Sequence, residues 1–168
     1  MLVYHPAFDA NHCAYRFLHI LYCSKAEKIE WDKLRLADFY YLFPHLLKLI
    51  KPLPKAISKG RKYFVKIPDP YENVPNPKRL MFDLRDIQNS TIASLVAKNI
   101  VNKESFHKGE VSLVIESLPK ALIESFDDNP ISQEDWFKLF SKEIPFIELL
   151  GSKGFKARSK LMEYRYDK

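Results

Sequence analysis

Proline limits how far any helix in this chain can run. Apolar residues recur at helical spacing, but Pro44, Pro119, Pro130 and Pro145 break the pattern, and prolines crowd at Pro68-Asp69-Pro70 and Pro75-Asn76-Pro77. Inside a helix, proline removes an amide donor and clashes with the preceding turn. The sequence therefore predicts short helices joined by turns, with 68–77 as an exposed linker or extended arm.

Asp9 or Asn11 can cap a first helix running to about Cys23, with Cys13, Phe17, Ile20 and Leu21 on one face. Lys28-Ile29-Glu30 reads as a short strand or turn. A second helix runs from about Trp31 to Phe43 and buries Leu36, Phe39, Tyr40 and Phe43; Pro44 ends or kinks it. Lys78 to Val101 reads as two helical pieces, the second capped by Ser90 or Thr91. After the Lys108-Gly109 turn, Val111, Leu113 and Ile115 alternate as in a strand. Ser117 and Pro119 open a short helix through Phe126. Ser132-Gln133-Glu134-Asp135 resembles a capping box before Trp136, Phe137 and Phe140. Gly151 ends the continuation of that helix, and Met162, Tyr164 and Tyr166 alternate as a C-terminal strand.

The expected fold class is α+β, mainly helical: a small helical domain with winged-helix-like elements and a C-terminal strand. Two helices, a glycine turn and a strand over 78–115 supply the winged-helix order. The chain reads as a single compact domain over 1–168, or as subdomains 1–67 and 78–168 joined by linker 68–77. With 46% hydrophobic and 29% charged residues it is too apolar for disorder. Its aromatics, 14% of the chain, exceed what a core needs and can serve an interface. No apolar run is long enough to span a membrane, and the first residues do not form a signal peptide, so the expected location is cytoplasmic. Cys13 and Cys23 fall about 15 Å apart along one helix. A disulfide needs Cα atoms within about 7 Å, so these are expected to be reduced thiols.

Chemistry is scarce in the pattern. The four glycines, at 60, 109, 151 and 154, form no phosphate-binding loop. His12 and His19 share a helical face near Cys13 and Cys23, but zinc wants four converging ligands, and adjacent His12 and Cys13 point apart. No nucleophile signature surrounds either cysteine. Asp83 and Asp86 lie near Arg85, and Asp127-Asp128 precedes a proline; both read as helix surface or helix entry. Arg16, within an apolar helix, needs a carboxylate, either Asp9 or Asp38. No cofactor is expected.

One segment stands out. Lys48 to Lys66 carries seven basic residues and no acid, on a chain of net charge +6. Lys55, Lys59, Arg61, Lys62 and Lys66 are candidate nucleic-acid contacts, with Tyr63 or Phe64 available to stack on a base. The same run could be a solvated loop or face an acidic protein. Lys153, Lys156, Arg158 and Lys160 form a weaker basic cluster.

Three stretches carry a family resemblance over almost the whole chain. They are Tyr4-His5-Pro6-Ala7-Phe8-Asp9 leading into His12-Cys13-Ala14-Tyr15-Arg16, Leu34-Arg35-Leu36-Ala37-Asp38-Phe39-Tyr40-Tyr41-Leu42-Phe43-Pro44, and Lys160-Leu161-Met162-Glu163-Tyr164-Arg165-Tyr166-Asp167. Together they resemble the middle components of bacterial three-component ABC-ATPase systems. In such systems a small protein accompanies an SMC/Rad50-like ATPase and a third, effector protein. Lamassu-type anti-phage and anti-plasmid systems look like members of the wider group. The resemblance implies a non-catalytic accessory subunit that bridges the ATPase to its partners, including a nuclease-like effector, and contacts DNA through the complex. It implies no membrane and no small-molecule substrate, and it transfers neither catalytic residues nor a defined interface. The alternative is a stand-alone winged-helix repressor, reading bases with Ser94, Lys98, Asn99 and Asn102 on a helix from Thr91 to Val101.

Overall fold

The computed structural model of the chain describes residues 5–163 and Arg165. A 3-10 turn at Pro6–Phe8 leads into α1 (Ala10–Ser24). Asp9 caps α1, its carboxylate accepting the Asn11 and His12 amides at 2.9 and 3.0 Å, while Asn11 lies inside the first turn. β1 (Ile29–Glu30) passes directly into α2 (Trp31–Leu42), and Pro44 diverts the chain into a 3-10 helix over Pro44–Leu49. A second 3-10 helix, Lys55–Gly60, runs into the one-turn α3 (Arg61–Phe64). Beyond the prolines come α4 (Pro77–Asp83), α5 (Arg85–Ala97), α6 (Lys103–His107) and β2 (Glu110–Val111). The chain continues through α7 (Lys120–Asp128), α8 (Asp135–Glu143) and α9 (Phe155–Ser159).

The fold is thus α+β and mainly helical. Its strands pair antiparallel, Ile29 opposite Val111 and Glu30 opposite Glu110. α1 lies at the centre and packs against α2, α5 and α8. That position explains why Cys13, Phe17, Leu18, Ile20 and Leu21 are all buried, wrapping more than one face. Phe17 meets Trp31 edge-on at 5.5 Å, and Tyr40 stacks on Phe155 at 5.7 Å. Fully burying such a side chain contributes about 1.5–3 kcal/mol; among the described residues nine aromatic side chains lie in the buried core, while Phe8, Tyr71, Phe82 and Phe146 are exposed.

Several local expectations shift. The break between the two pieces of 78–101 falls at Leu84, not at Ser90 or Thr91. Thr91 instead faces inward from the middle of α5 with Gln88, Ile92 and Leu95; burial outweighs its preference for a cap. The strand over 111–115 is cut short. Leu113 makes a single bridge to Val101, and Ile115 begins a 3-10 turn. The described partner of β2 is β1, from ahead of α2, rather than a following strand. Ser132 does not cap α8, which starts at Asp135 after Glu134; its hydroxyl donates to the Phe126 carbonyl at 2.6 Å. Leu161 and Met162 lie in a bend, and Tyr164 and Tyr166 of the expected C-terminal strand lie outside the described residues.

Candidate interaction surfaces

The basic run is a folded segment rather than a solvated loop. Ile57, Gly60, Phe64 and Ile67 point inward at helix-like spacing, and the cations between them point out. Gly60 lets the segment close on α8: a Cβ there would strike Leu139 Cδ2 and lie 2.8 Å from Phe64 Cζ. Phe64 is buried and is not available to stack on a base; Tyr63 is half-buried.

The cations divide by what they touch. Lys48 donates to the Ile67 carbonyl at 2.9 Å and pairs with Asp69 at 2.5 Å, which ties down the start of 68–77 and holds Asp69 below the usual carboxylate range. Asn76 fixes the other end by accepting the Arg79 amide at 3.0 Å as the cap of α4. Arg61 donates to the Ile50 carbonyl at 3.0 Å, and Lys59 pairs with Glu143 at 3.3 Å. Lys62 lies over the Tyr63 ring at 4.9 Å. Lys55, Lys62 and Lys66 are exposed, and none pairs with a carboxylate among the described residues. Lys66, however, shares a cleft of about 110 Å³ with Glu134 and Asp135. The five sequence candidates therefore lie on one segment; among the described residues Lys59 is paired with Glu143 and Lys66 lies by Glu134 and Asp135, while Lys55, Arg61 and Lys62 pair with no carboxylate.

Elsewhere a chain of polar groups joins four helices. Arg16 binds Asp38 through Nε at 2.5 Å and Nη2 at 3.3 Å, so Asp38 rather than Asp9 is its partner. Burial disfavours the Arg16 charge, but the Asp38 carboxylate outweighs that and raises its pKa above the ordinary value. Gln88 Nε2 donates to Asp38 at 2.9 Å, and Gln88 Oε1 accepts from Arg35 Nε at 3.1 Å. Arg35 then reaches Asp32 at 3.1 Å, whose other oxygen takes Lys156 at 2.9 Å. The connection runs from α1 through α2 and α5 to α9. Gln88 carried no sequence signal beyond its place on the inner face of α5.

The histidine and cysteine candidates turn inward. His19 stacks on Phe126 at 5.1 Å, with Tyr41 Oη 2.9 Å from Nδ1 and Ser132 Oγ 2.7 Å from Nε2. A Ser–His contact at that distance invites comparison with a nucleophile and its base. The Phe126 carbonyl, 2.6 Å from Ser132 Oγ, competes for the Ser132 proton. With the proton donated to that carbonyl, Nε2 donates to Ser132 and Nδ1 accepts from Tyr41, the reverse of what an activated serine needs. Burial lowers the His19 pKa to about 4 and pushes Cys13 to about 12 and Cys23 to about 11, so neither thiol is a ready thiolate. Among the described residues no three His, Cys, Asp or Glu side chains converge as metal ligands. Asp83 pairs with Arg79 at 3.0 Å and Asp86 lies 3.6 Å from Arg85, both on the helix surface.

Of the base-reading candidates, only Ser94 lies within α5. Lys98 and Asn99 follow its end, Asn99 in the left-handed region at φ 57°, and Asn102 caps α6. They do not form one helical face. No helix of the described residues is long and apolar enough to cross a membrane.

A family model described as ABC-three component (ABC-3C) system Middle Component 5 matches residues 2–167. No curated protein matches the chain, and no solved structure does.

Proposed function

Because the chain belongs to the Middle Component 5 family of ABC-three component systems, we propose that it is a non-catalytic accessory subunit, bridging an SMC/Rad50-like ATPase to a third, nuclease-like effector in anti-phage or anti-plasmid defence. The observation that carries the reading is the family match along nearly the whole chain. It is supported by where the polar residues go. Arg16, Arg35 and Asp38, the charged residues of the two N-terminal familiar stretches that lie on α1 and α2, hold helices together instead of lining a reaction site. The proposal takes the chain as one accessory domain, since α1 packs against α5 and α8 across the proline-rich segment.

DNA contact belongs to the same reading. Lys55, Lys62 and Lys66 would supply it, with Lys59 and Arg61 shaping the segment through Glu143 and the Ile50 carbonyl. The winged-helix repressor is the weaker reading, because its base-reading residues are spread over the end of α5, a turn and the cap of α6.

The test is co-expression of the complete chain with the proteins encoded by its flanking genes, followed by purification and mass spectrometry. Stoichiometric recovery with a coiled-coil ATPase is expected. Recovery of the chain alone, binding one DNA sequence specifically, would sink the accessory-subunit reading.

A further inference from the structure

The chain carries a second surface, which adjoins the start of the basic run at Leu49 and Ile50. Phe39 and Tyr40 of α2, with Leu46 and Ile50 from the following turn, floor a groove of about 340 Å³ between that turn, the start of α4 and the end of α9. Leu49 stands at its lip, 69% exposed, and Leu161 closes the far side. Arg158 holds one wall by donating to the Pro52 and Leu53 carbonyls at 3.1 and 2.9 Å. Among the described residues the charged side chains lining the groove are Lys78, Arg158 and Lys160, and no carboxylate lines it. At Lys78 and Leu161 it meets a neighbouring groove of about 320 Å³, where Arg85 and Phe82 lie 4.6 Å apart. That groove has two carboxylates: Asp32, already bound by Arg35 and Lys156, and Glu163.

We propose that this pair of grooves docks a segment of a partner subunit in which apolar side chains alternate with Asp or Glu. The apolar floor and the exposed Leu49 favour a ligand that brings its own apolar side chains out of water. The Lys78 and Lys160 ammonium groups favour carboxylates beside them. DNA would meet the ammonium groups with phosphate but brings no apolar side chains to the floor. A second copy of this chain, itself of net charge +6, would bring like charge to the rim. The proposal rests on the accessory-subunit reading for the source of the segment.

The experiment uses the co-expressed complex with a photoreactive benzoylphenylalanine at Leu49, and a control probe at Ile115, exposed elsewhere on the surface. The Leu49 probe should cross-link to a partner peptide carrying at least two carboxylates among apolar residues, and the Ile115 probe should not. Lys78→Glu with Lys160→Glu should lower partner recovery at least tenfold while leaving the thermal melt unchanged, and Glu→Lys changes in the cross-linked segment should restore it. Cross-links to a second copy, to residues 164–168 of the same chain, to nucleic acid or to a neutral or basic peptide overturn the proposal. So does absence of a cross-link when the partner is still recovered. Failure of the unmodified chain to recover any partner overturns the accessory-subunit reading, and the docked segment with it.

Discussion

Asp38 lies fully buried with Arg16 on one side and Gln88 on the other. Removing its carboxylate leaves the Arg16 charge buried and unpaired, so Asp38→Ala should cost about 3–5 kcal/mol. Arg16→Met combined with Asp38→Ala should cost clearly less than the sum of the single changes, because no orphaned charge remains. Additive urea-unfolding energies would refute that coupling. His19 gives a pH signature of the opposite kind. Its pKa falls from an ordinary 6.5 to about 4 because burial disfavours the charged ring. Between those values the unfolded chain binds a proton that the folded chain refuses. The stability tied to His19 is therefore complete above about pH 6.5 and is lost as pH falls toward 4, by up to about 3 kcal/mol. His19→Gln should flatten this part of the profile. Parallel curves for the two proteins from pH 7 to 4 would show that His19 is not the cause.

At the scale of elements, the segment from Lys55 to Phe64 depends on one close approach. Gly60→Ala should force Phe64 and Leu139 apart and destabilise the fold by about 1–3 kcal/mol, as overpacking does. An unchanged melting temperature would mean the segment does not press on α8. α2 separates two residues that the sequence treats alike. Phe39 is buried and Phe43, at the helix end, only partly so. Phe39→Ala should then cost about 3–5 kcal/mol and Phe43→Ala visibly less, compared by thermal melts. The same contrast shows what was legible beforehand. The extents of α1 and α2, the Asp9 cap and the stop at Pro44 follow from local spacing and backbone chemistry, which sequence displays directly. The pairing of β2 with β1, the inward turn of Thr91 and the engagement of Ser132 with His19 depend on residues far apart in the chain. Local propensity predicts none of them. For the basic run the charge count was legible, but which cations are already spoken for was not. Lys59 is neutralised by Glu143, and Arg61 serves a carbonyl eleven residues upstream.

For the whole molecule, the two surfaces divide the chain's positive charge by the company it keeps. Around the Lys78–Lys160 groove cations border apolar floor, which suits protein. At Lys55, Lys62 and Lys66 they stand in solvent on a folded segment, with Tyr63 the half-buried ring beside them, which suits phosphate. Each phosphate contact made to duplex DNA contributes about 0.9 to the slope of log affinity against log salt. Lys55→Glu with Lys62→Glu and Lys66→Glu should therefore weaken DNA binding by the assembled complex at all sequences alike and make that slope shallower by up to about 2–3. Arg61 should be left intact, since its link to Ile50 shapes the segment and its loss would confuse folding with binding. The Lys78→Glu, Lys160→Glu pair should leave the salt slope unchanged while reducing recovery of the partner. A slope unmoved by the triple change, in a complex that still binds DNA, would place the phosphate contacts on another subunit and leave this chain as a bridge between proteins alone.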